Sequence, residues 1–220
     1  MATVVITGAN RGIGLEFVKQ YIANGDKVVA LCRNTSDELS QSGARVIDNV
    51  DVGNPECLEK ILPTLHDLKI DLLINNAGVL ANETLEDMSA ATIEYQFRVN
   101  ALGPVLVTQL LKQQLTKGAK VALITSRMGS VTDNTSGGRY GYRMSKAALN
   151  IAGVSLAHDL KPQEVAVAIL HPGYVQTEMV NNGGDISPAV AVERLMQRID
   201  ELTLNNSGTF WHANGEVLPW

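Results

Sequence analysis

Thr3-Val4-Val5-Ile6-Thr7-Gly8-Ala9-Asn10-Arg11-Gly12-Ile13-Gly14 is the stretch that decides the fold. Its first five residues form a β-branched run without polar alternation, the pattern of a strand buried on both faces. Glycines follow at 8, 12 and 14, spaced Gly-x3-Gly-x-Gly, and a helical pattern then runs from Gly12 to Ala23. Such a turn bends tightly, lets its backbone approach a pyrophosphate and packs the helix against the strand. The helix start adds free N–H groups and the positive end of the peptide dipole. A plain glycine-rich turn would look similar in isolation. Its place between a strand and a helix favours dinucleotide binding.

Working outward, the same alternation recurs along the chain. Strand-like runs lie at Thr3–Thr7, Lys27–Leu31, Ala44–Asn49, Asp71–Asn75, Lys120–Thr125, Val165–Leu170 and Thr209–Trp211. Helical stretches lie between them at Gly12–Ala23, Pro55–Leu62, Ala90–Thr116, Tyr140–Leu160 and Pro188–Leu204, the last opened by Ser187 as N-cap with Pro188 in the first turn. No linker, low-complexity segment or internal repeat interrupts the order. The expectation is one α/β domain over residues 1–220, a Rossmann-type doubly wound parallel sheet of about seven strands with helices on both faces. Its ligand should sit in the crevice at the carboxyl ends of the strands.

Composition bounds the partners. Of 220 residues 45% are hydrophobic and 19% charged, enough apolar material for a large core. Eighteen Lys+Arg against 23 Asp+Glu give a net charge of −5 with no basic cluster, which argues against nucleic acid. No apolar stretch approaches the roughly 18 residues of a spanning helix, so no membrane partner is expected. The first residues show no basic leader before their short apolar run, so no secretory signal is read. Cys32 and Cys57 lack CxxC spacing, which suits packing roles in a reduced, cytoplasmic setting.

In a dinucleotide fold an acidic residue about 20 positions beyond the first glycine accepts bonds from the adenosine ribose. Here the second strand closes with Leu31-Cys32-Arg33-Asn34 and carries no carboxylate at its tip. A carboxylate repels a 2′-phosphate and a guanidinium binds one. Arg33, together with Arg11, therefore predicts NADP(H) rather than NAD; the alternative is a solvated loop arginine.

Downstream of the fifth strand lie Ser126 and the stretch Tyr140-Gly141-Tyr142-Arg143-Met144-Ser145-Lys146. Tyr142 and Lys146 are four apart, one helical turn on one face. A tyrosine with an unperturbed pKa of about 10 is a poor proton donor or acceptor near neutrality until a neighbouring cation favours the phenolate. Lys146 can be that cation, and Ser126 could hold a carbonyl oxygen while Tyr142 protonates it. Tyr140 is a rival, but four residues beyond it stands Met144, so the lysine selects Tyr142.

The set Thr7–Gly14, Asn75-Asn76-Ala77-Gly78, Asn100, Ser126, Tyr142/Lys146 and Pro172-Gly173-Tyr174-Val175-Gln176-Thr177 closely resembles the short-chain dehydrogenase/reductase family, in order from residue 3 to about 180. Leu31–Asn34, Ser126–Ser130, His171-Pro172-Gly173 and Leu218-Pro219-Trp220 make it most similar to the small carbonyl reductases of the sniffer and C-factor type. The resemblance implies Tyr142 as acid/base, Ser126 as carbonyl-orienting group, Lys146 on the nicotinamide ribose and lowering the Tyr142 pKa, and Asn100 holding a relay water. It implies cofactor contacts from Gly8, Asn10, Arg11, Gly12, Ile13, Gly14, Arg33, Asp51, Val52, Asn76, Ala77, Gly78, Tyr142, Lys146, Pro172, Gly173, Val175 and Thr177. The implied activity is NADPH-dependent reduction of a ketone or aldehyde, or oxidation of the corresponding alcohol, in a homodimer or homotetramer paired through helices.

Two departures from the family pattern stand out. Ser126 and Tyr142 are 16 apart, more than in many members, so Asp133–Gly138 should loop out near the substrate mouth. The segment Glu178–Ile186, with Gly183-Gly184 inside it, should make a small, mobile lid over an open pocket. Arg127, Met128 and Tyr174 are candidates for the substrate border. His171 precedes Pro-Gly at a strand end and reads as structural, and His66, His158 and His212 lack ligand-spaced partners, so no metal site is expected. Three competing readings are an alcohol dehydrogenase working in the reverse direction, a catalytically silent NADP-binding signalling or sensor protein, and a sugar-nucleotide epimerase. The intact Asn100, Ser126, Tyr142 and Lys146 set argues against the second. The short remainder after Thr177 argues against the third.

Overall fold

A computed structural model describes residues 1–220. The strands are β1 (Thr3–Thr7), β2 (Lys27–Leu31), β3 (Arg45–Ile47), β4 (Ile70–Asn75), β5 (Leu115–Ile124), β6 (Ala166–His171) and β7 (Phe210–His212). The helices are α1 (Gly12–Ala23), the short α2 (Asp37–Ser40), α3 (Pro55–Leu65), α4 (Ala90–Phe97), α5 (Gly103–Leu111), α6 (Tyr140–Leu160) and α7 (Pro188–Asp200). One sheet contains all seven strands in the order β3-β2-β1-β4-β5-β6-β7. Every neighbouring pair is parallel. This is the Rossmann-type doubly wound α/β architecture that the β-branched runs predict.

The unalternating strands are buried on both faces because a separate apolar layer lies on each side. Along β1, Val5 joins one layer with residues of α3, α5 and α6, whereas Val4 and Ile6 join the other with residues of α1 and α7. All three are fully buried. The chain crosses from β3 over to β4 on the far side of β1, so the strand order reverses between β1 and β4. Loops after those strands must diverge there, which opens a crevice at their carboxyl ends.

The helical stretch read as Ala90–Thr116 is helical without a gap from Ala90 to Leu111 but is not uniform. It is α4, a π-helical turn at Arg98–Leu102, and α5, and by Leu115 the chain is already in β5. Pro104 explains the irregularity: it has no N–H for the carbonyl of Asn100 and its ring would crowd that group, so a wider turn relieves the clash. β5 begins earlier than expected because Leu115 pairs with Ile70. The register then skips to Lys120 opposite Leu72, with Gly118 between them at φ +83°. α3 runs on to Leu65 through Pro63, and α7 stops at Asp200. No helix is long and apolar enough to cross a membrane.

Candidate active site

The crevice is a cleft of about 750 Å³ running from the tip of β2 to the start of α6. Every residue read as cofactor-contacting lines it, as do Ser126, Arg127, Met128 and Tyr174. Asn100 stands outside it.

At one end the walls are main chain. Gly8 has φ +65°, and a Cβ there would lie 2.7 Å from Ala77 Cα. A Cβ on Gly14 would collide with the carbonyl of Gly8 and approach Asn76 Nδ2. The Asn76 side chain clamps the turn by donating to the carbonyls of Thr7 and Gly8, both at 3.1 Å. Thr7 Oγ1 accepts from the N–H groups of Asn76 and Ala77 in return. α1 has no acidic residue in its first turn and no side-chain cap at Arg11, so its N-terminal N–H groups face the cleft unshielded. A cradle built around close-set glycine backbone and aimed by a helix start fits the pyrophosphate of a dinucleotide. Beyond it, at the tip of β2, Arg33 is exposed and its Nη1 donates to the Tyr95 hydroxyl at 2.6 Å. Asp51 accepts from the Gly53 N–H at 2.9 Å.

At the other end the walls are side chains. Ser126 follows β5, and its hydroxyl accepts from the Met128 N–H at 3.2 Å. Tyr142 and Lys146 lie one turn apart on α6, both buried. Burial raises the Tyr142 pKa, opposed by the neighbouring Ser126 hydroxyl and by the positive charge of Arg139. Lys146 donates from Nζ to the Ile124 carbonyl at 2.9 Å and sits 5.7 Å from the centre of the Tyr142 ring. Burial lowers its pKa to about 8. The phenol is therefore tuned by Ser126 and Arg139, with Lys146 standing over the ring face and directed at the strand carbonyl.

Asn100 is fully buried in the π-helical turn. Its Nδ2 donates to the Val79 carbonyl at 2.8 Å and to Ser145 Oγ at 3.0 Å, and its Oδ1 accepts from the Val79 N–H at 2.8 Å. The side chain thus ties the turn after β4 to α6, which leaves only main chain for a relay water. His171 is neutral near pH 7, its pKa lowered to about 3 chiefly by burial and further by His212. It packs edge-on to the His212 ring, and no three His, Cys, Asp or Glu side chains gather as a metal site would require.

The segment expected to be a mobile lid is folded on itself and closed at its neck by hydrogen bonds. Val175 and Ile186 form a parallel bridge, the Asp185 N–H donates to the Tyr174 carbonyl at 2.8 Å, and the Asn182 N–H donates to the Thr177 carbonyl at 2.8 Å. Glu178 also pairs with Arg11 at 2.6 Å, fastening this segment to the glycine turn. Gly184, at φ +144°, lies where a Cβ would strike the Gln176 N, so it serves close packing rather than freedom.

Two functional candidates, Arg139 and Glu83, escaped the sequence reading. Gly137, Gly138 and Arg139 are three successive left-handed residues that turn the chain into α6. Arg139 caps the helix without a side-chain bond. Glu83, from the loop after β4, supplies the cap instead. Its carbonyl accepts the Arg139 N–H at 2.8 Å, and its carboxylate accepts from the Gly141 N–H at 3.3 Å and from the Gln96 amide. Glu83 is 5% exposed with no cationic partner, so the helix start balances its charge. The stretch Ala81-Asn82-Glu83-Thr84-Leu85-Glu86-Asp87 looks like a solvated acidic loop, and nothing in it marks Glu83.

A family-wide sequence profile described as short chain dehydrogenase matches residues 2–187. A 1-hydroxy-2-glutathionyl-2-methyl-3-butene dehydrogenase of Rhodococcus sp. (strain AD45) is 37% identical over 226 residues, covering 100% of both chains. C-signal of Myxococcus xanthus is 44% identical over 154 residues, 69% of this chain and 93% of that one. The crystal structure of an NADPH bound carbonyl reductase from chicken fatty liver superposes with a TM-score of 0.87 at 26% identity, covering 100% of this chain and 99% of that one.

Proposed function

The chain belongs to the short chain dehydrogenase family of oxidoreductases, and on that premise we propose that it is an NADPH-dependent carbonyl reductase acting on ketones or aldehydes or, in reverse, on the corresponding alcohols. The observation that carries the proposal is that Ser126, Tyr142 and Lys146 share one cleft with the glycine turn. When bound, the nicotinamide supplies or accepts the hydride. The chain's own residues do the rest. The Ser126 hydroxyl donates to the substrate oxygen and fixes the carbonyl, and Tyr142 gives that oxygen its proton as negative charge builds there. Lys146 would hold the ribose hydroxyls of a bound cofactor, and the burial that lowers its pKa to about 8 would let it pass a proton on toward Tyr142. Asn100 holds the relay water through its main chain.

Arg33 supports NADP(H) over NAD: it lines the adenine end of the cleft, no carboxylate stands at the β2 tip, and Tyr95 holds the guanidinium there. The NADPH bound carbonyl reductase that shares the fold supports the same choice. The Rhodococcus relative is named a dehydrogenase, which supports the alcohol-oxidising direction. The Myxococcus relative is named C-signal, a name that suits the alternative reading of a signalling protein. Copies of the chain would pair as a homodimer or homotetramer through the α4 and α6 faces, where Phe97 is 44% and Ile151 66% exposed. Free Cys32 and Cys57 suit a cytoplasmic location.

A panel of ketones, aldehydes and quinones with NADPH and NADH tests these readings. The expected result is turnover with NADPH, weaker turnover with NADH, and a fall in kcat of about 10²- to 10⁴-fold in Tyr142→Phe with NADPH still bound. Full activity in Tyr142→Phe would sink the mechanism. Equal use of NADH would remove Arg33 from its role, and NADPH binding without turnover of any carbonyl would favour the signalling reading.

A further inference from the structure

The charges along the cleft do not cancel evenly. Arg11 is paired with Glu178 and Arg127 with Asp133, both at 2.6 Å. Arg33 belongs to the adenine end. Lys146 is buried and donates to the Ile124 carbonyl, which leaves Arg139 at the substrate mouth, whose only side-chain partners are neutral: Nε donates to Asn82 Oδ1 at 2.9 Å and Nη1 lies 3.8 Å from Met128 Sδ. Its Nη2 has no partner, and no Asp or Glu lines that end of the cleft, since Asp51 lies on the adenine side and Glu178 is held by Arg11.

The backbone that carries the guanidinium is also constrained. Arg139 has φ +51° and ψ +47°, a left-handed conformation that disfavours every residue with a Cβ except, to a lesser degree, Asn and Asp. A glycine would serve the turn better, as it does at Gly137 and Gly138, both at φ +63°. Strain of this kind persists at ligand clamps, where the surroundings impose it. Here the Glu83 carbonyl imposes it by accepting the Arg139 N–H. Tyr142 is three residues further on, and the Arg139 charge is close enough to favour its phenolate.

We infer that Arg139 binds a carboxylate carried by the substrate, so that the preferred substrates are carbonyl compounds with a negative charge away from the reacting carbon. The inference rests on the carbonyl-reductase reading and adds the substrate class to it. Asn82 and Met128 fix the guanidinium across the mouth and leave its Nη2 side for the carboxylate, while the reacting carbonyl reaches Ser126 and Tyr142 deeper in.

The test compares 3- and 4-carboxybenzaldehyde with their methyl esters, using NADPH and the whole protein. In the wild type kcat/KM for the acids should exceed that for the esters by roughly tenfold, the scale of one charge-assisted hydrogen bond, and high salt should shrink the ratio. Arg139→Asn, whose side chain tolerates the left-handed backbone, should bring the ratio to about one, with Arg139→Lys in between. Equal rates for acids and esters in the wild type, or a ratio that survives in Arg139→Asn, would overturn the inference.

Calorimetric binding of 4-(hydroxymethyl)benzoate and its methyl ester to the NADP⁺-loaded protein separates the two levels. Preference for the acid in the wild type, lost in Arg139→Asn, upholds the role of Arg139 even if no aldehyde is reduced. Turnover without any such preference overturns the role and leaves the reductase reading standing. Absence of both turnover and binding removes both.

Discussion

The two ends of the cleft are built by opposite means. Beneath β1 and α1 the wall is main chain, shaped by Gly8, Gly14 and the turn that Asn76 clamps. Beneath β5 and α6 the wall is Ser126, Tyr142 and Lys146, braced by Glu83 and Arg139 from the loops around them. A wall of backbone admits little variation where it approaches its neighbours most closely, as at Gly8 and Gly14, whose added Cβ would intrude on backbone. A wall of side chains works through burial and charge, and its braces are free to arrive from anywhere in the fold.

Three substitutions put that contrast at risk. The largest effect is expected for Gly14→Ala, whose new methyl would meet the Gly8 carbonyl and lie 2.5 Å from Asn76 Nδ2. A loss on the order of 3 kcal/mol in stability, with NADPH binding abolished, should appear in denaturant titration and cofactor fluorescence. Unchanged NADPH affinity would mean that this end is not shaped by close backbone approach.

Lys146→Met should move stability the other way. The folded chain holds the Lys146 proton less tightly than the unfolded chain, with a pKa of about 8 against the ordinary lysine value. Between those two values the unfolded state binds more protons, so stability rises with pH there, and the penalty for charged Lys146 is fully present below about pH 8. Replacing it should stabilise the fold at pH 7 by up to roughly 3 kcal/mol, offset in part by the lost bond to Ile124, while activity disappears. Melting curves of both proteins should converge as the pH climbs above 8 toward the unfolded lysine value. A gap that stays constant with pH would refute the burial penalty.

The smallest effect is expected for Glu83→Ala, which leaves the Gly141 N–H and the Gln96 amide without an acceptor. About 2 kcal/mol of stability should be lost. Activity should fall through kcat while the KM for NADPH holds, since the glycine turn lies elsewhere. Glu83→Gln keeps one acceptor oxygen and should recover part of both. Equal losses in kcat and NADPH affinity would point to general loosening instead of misplacement of α6.

The same contrast explains what was legible in the sequence. The sheet was readable because β1 and its neighbours are apolar on both faces, and the cofactor end because its backbone geometry admits only glycine. Tyr142 and Lys146 were readable because their spacing is local to one helix. Glu83 was not: its partner Gly141 lies 58 positions away, and only tertiary packing makes its carboxylate a cap. The helix expected over Ala90–Thr116 runs through Pro104 to Leu111, and what the sequence does not show is the π turn that the proline forces four residues earlier, at Asn100. In the lid segment Gly184 lets two backbones touch, a role that the pair Gly183-Gly184 does not reveal in the sequence.

The borders of the sheet bear on behaviour far from the cleft. Both outermost strands, β3 and β7, are three residues long. The outer side of β7 is further occupied by the chain's own last residues, with Trp211 bridged to Val217 and the Leu218 N–H bonded to the Phe210 carbonyl at 2.8 Å. A seven-stranded sheet therefore offers another chain very little open hydrogen-bonding edge to add to. Fibrillar growth by strand addition therefore finds a covered margin at β7 and only a three-residue one at β3.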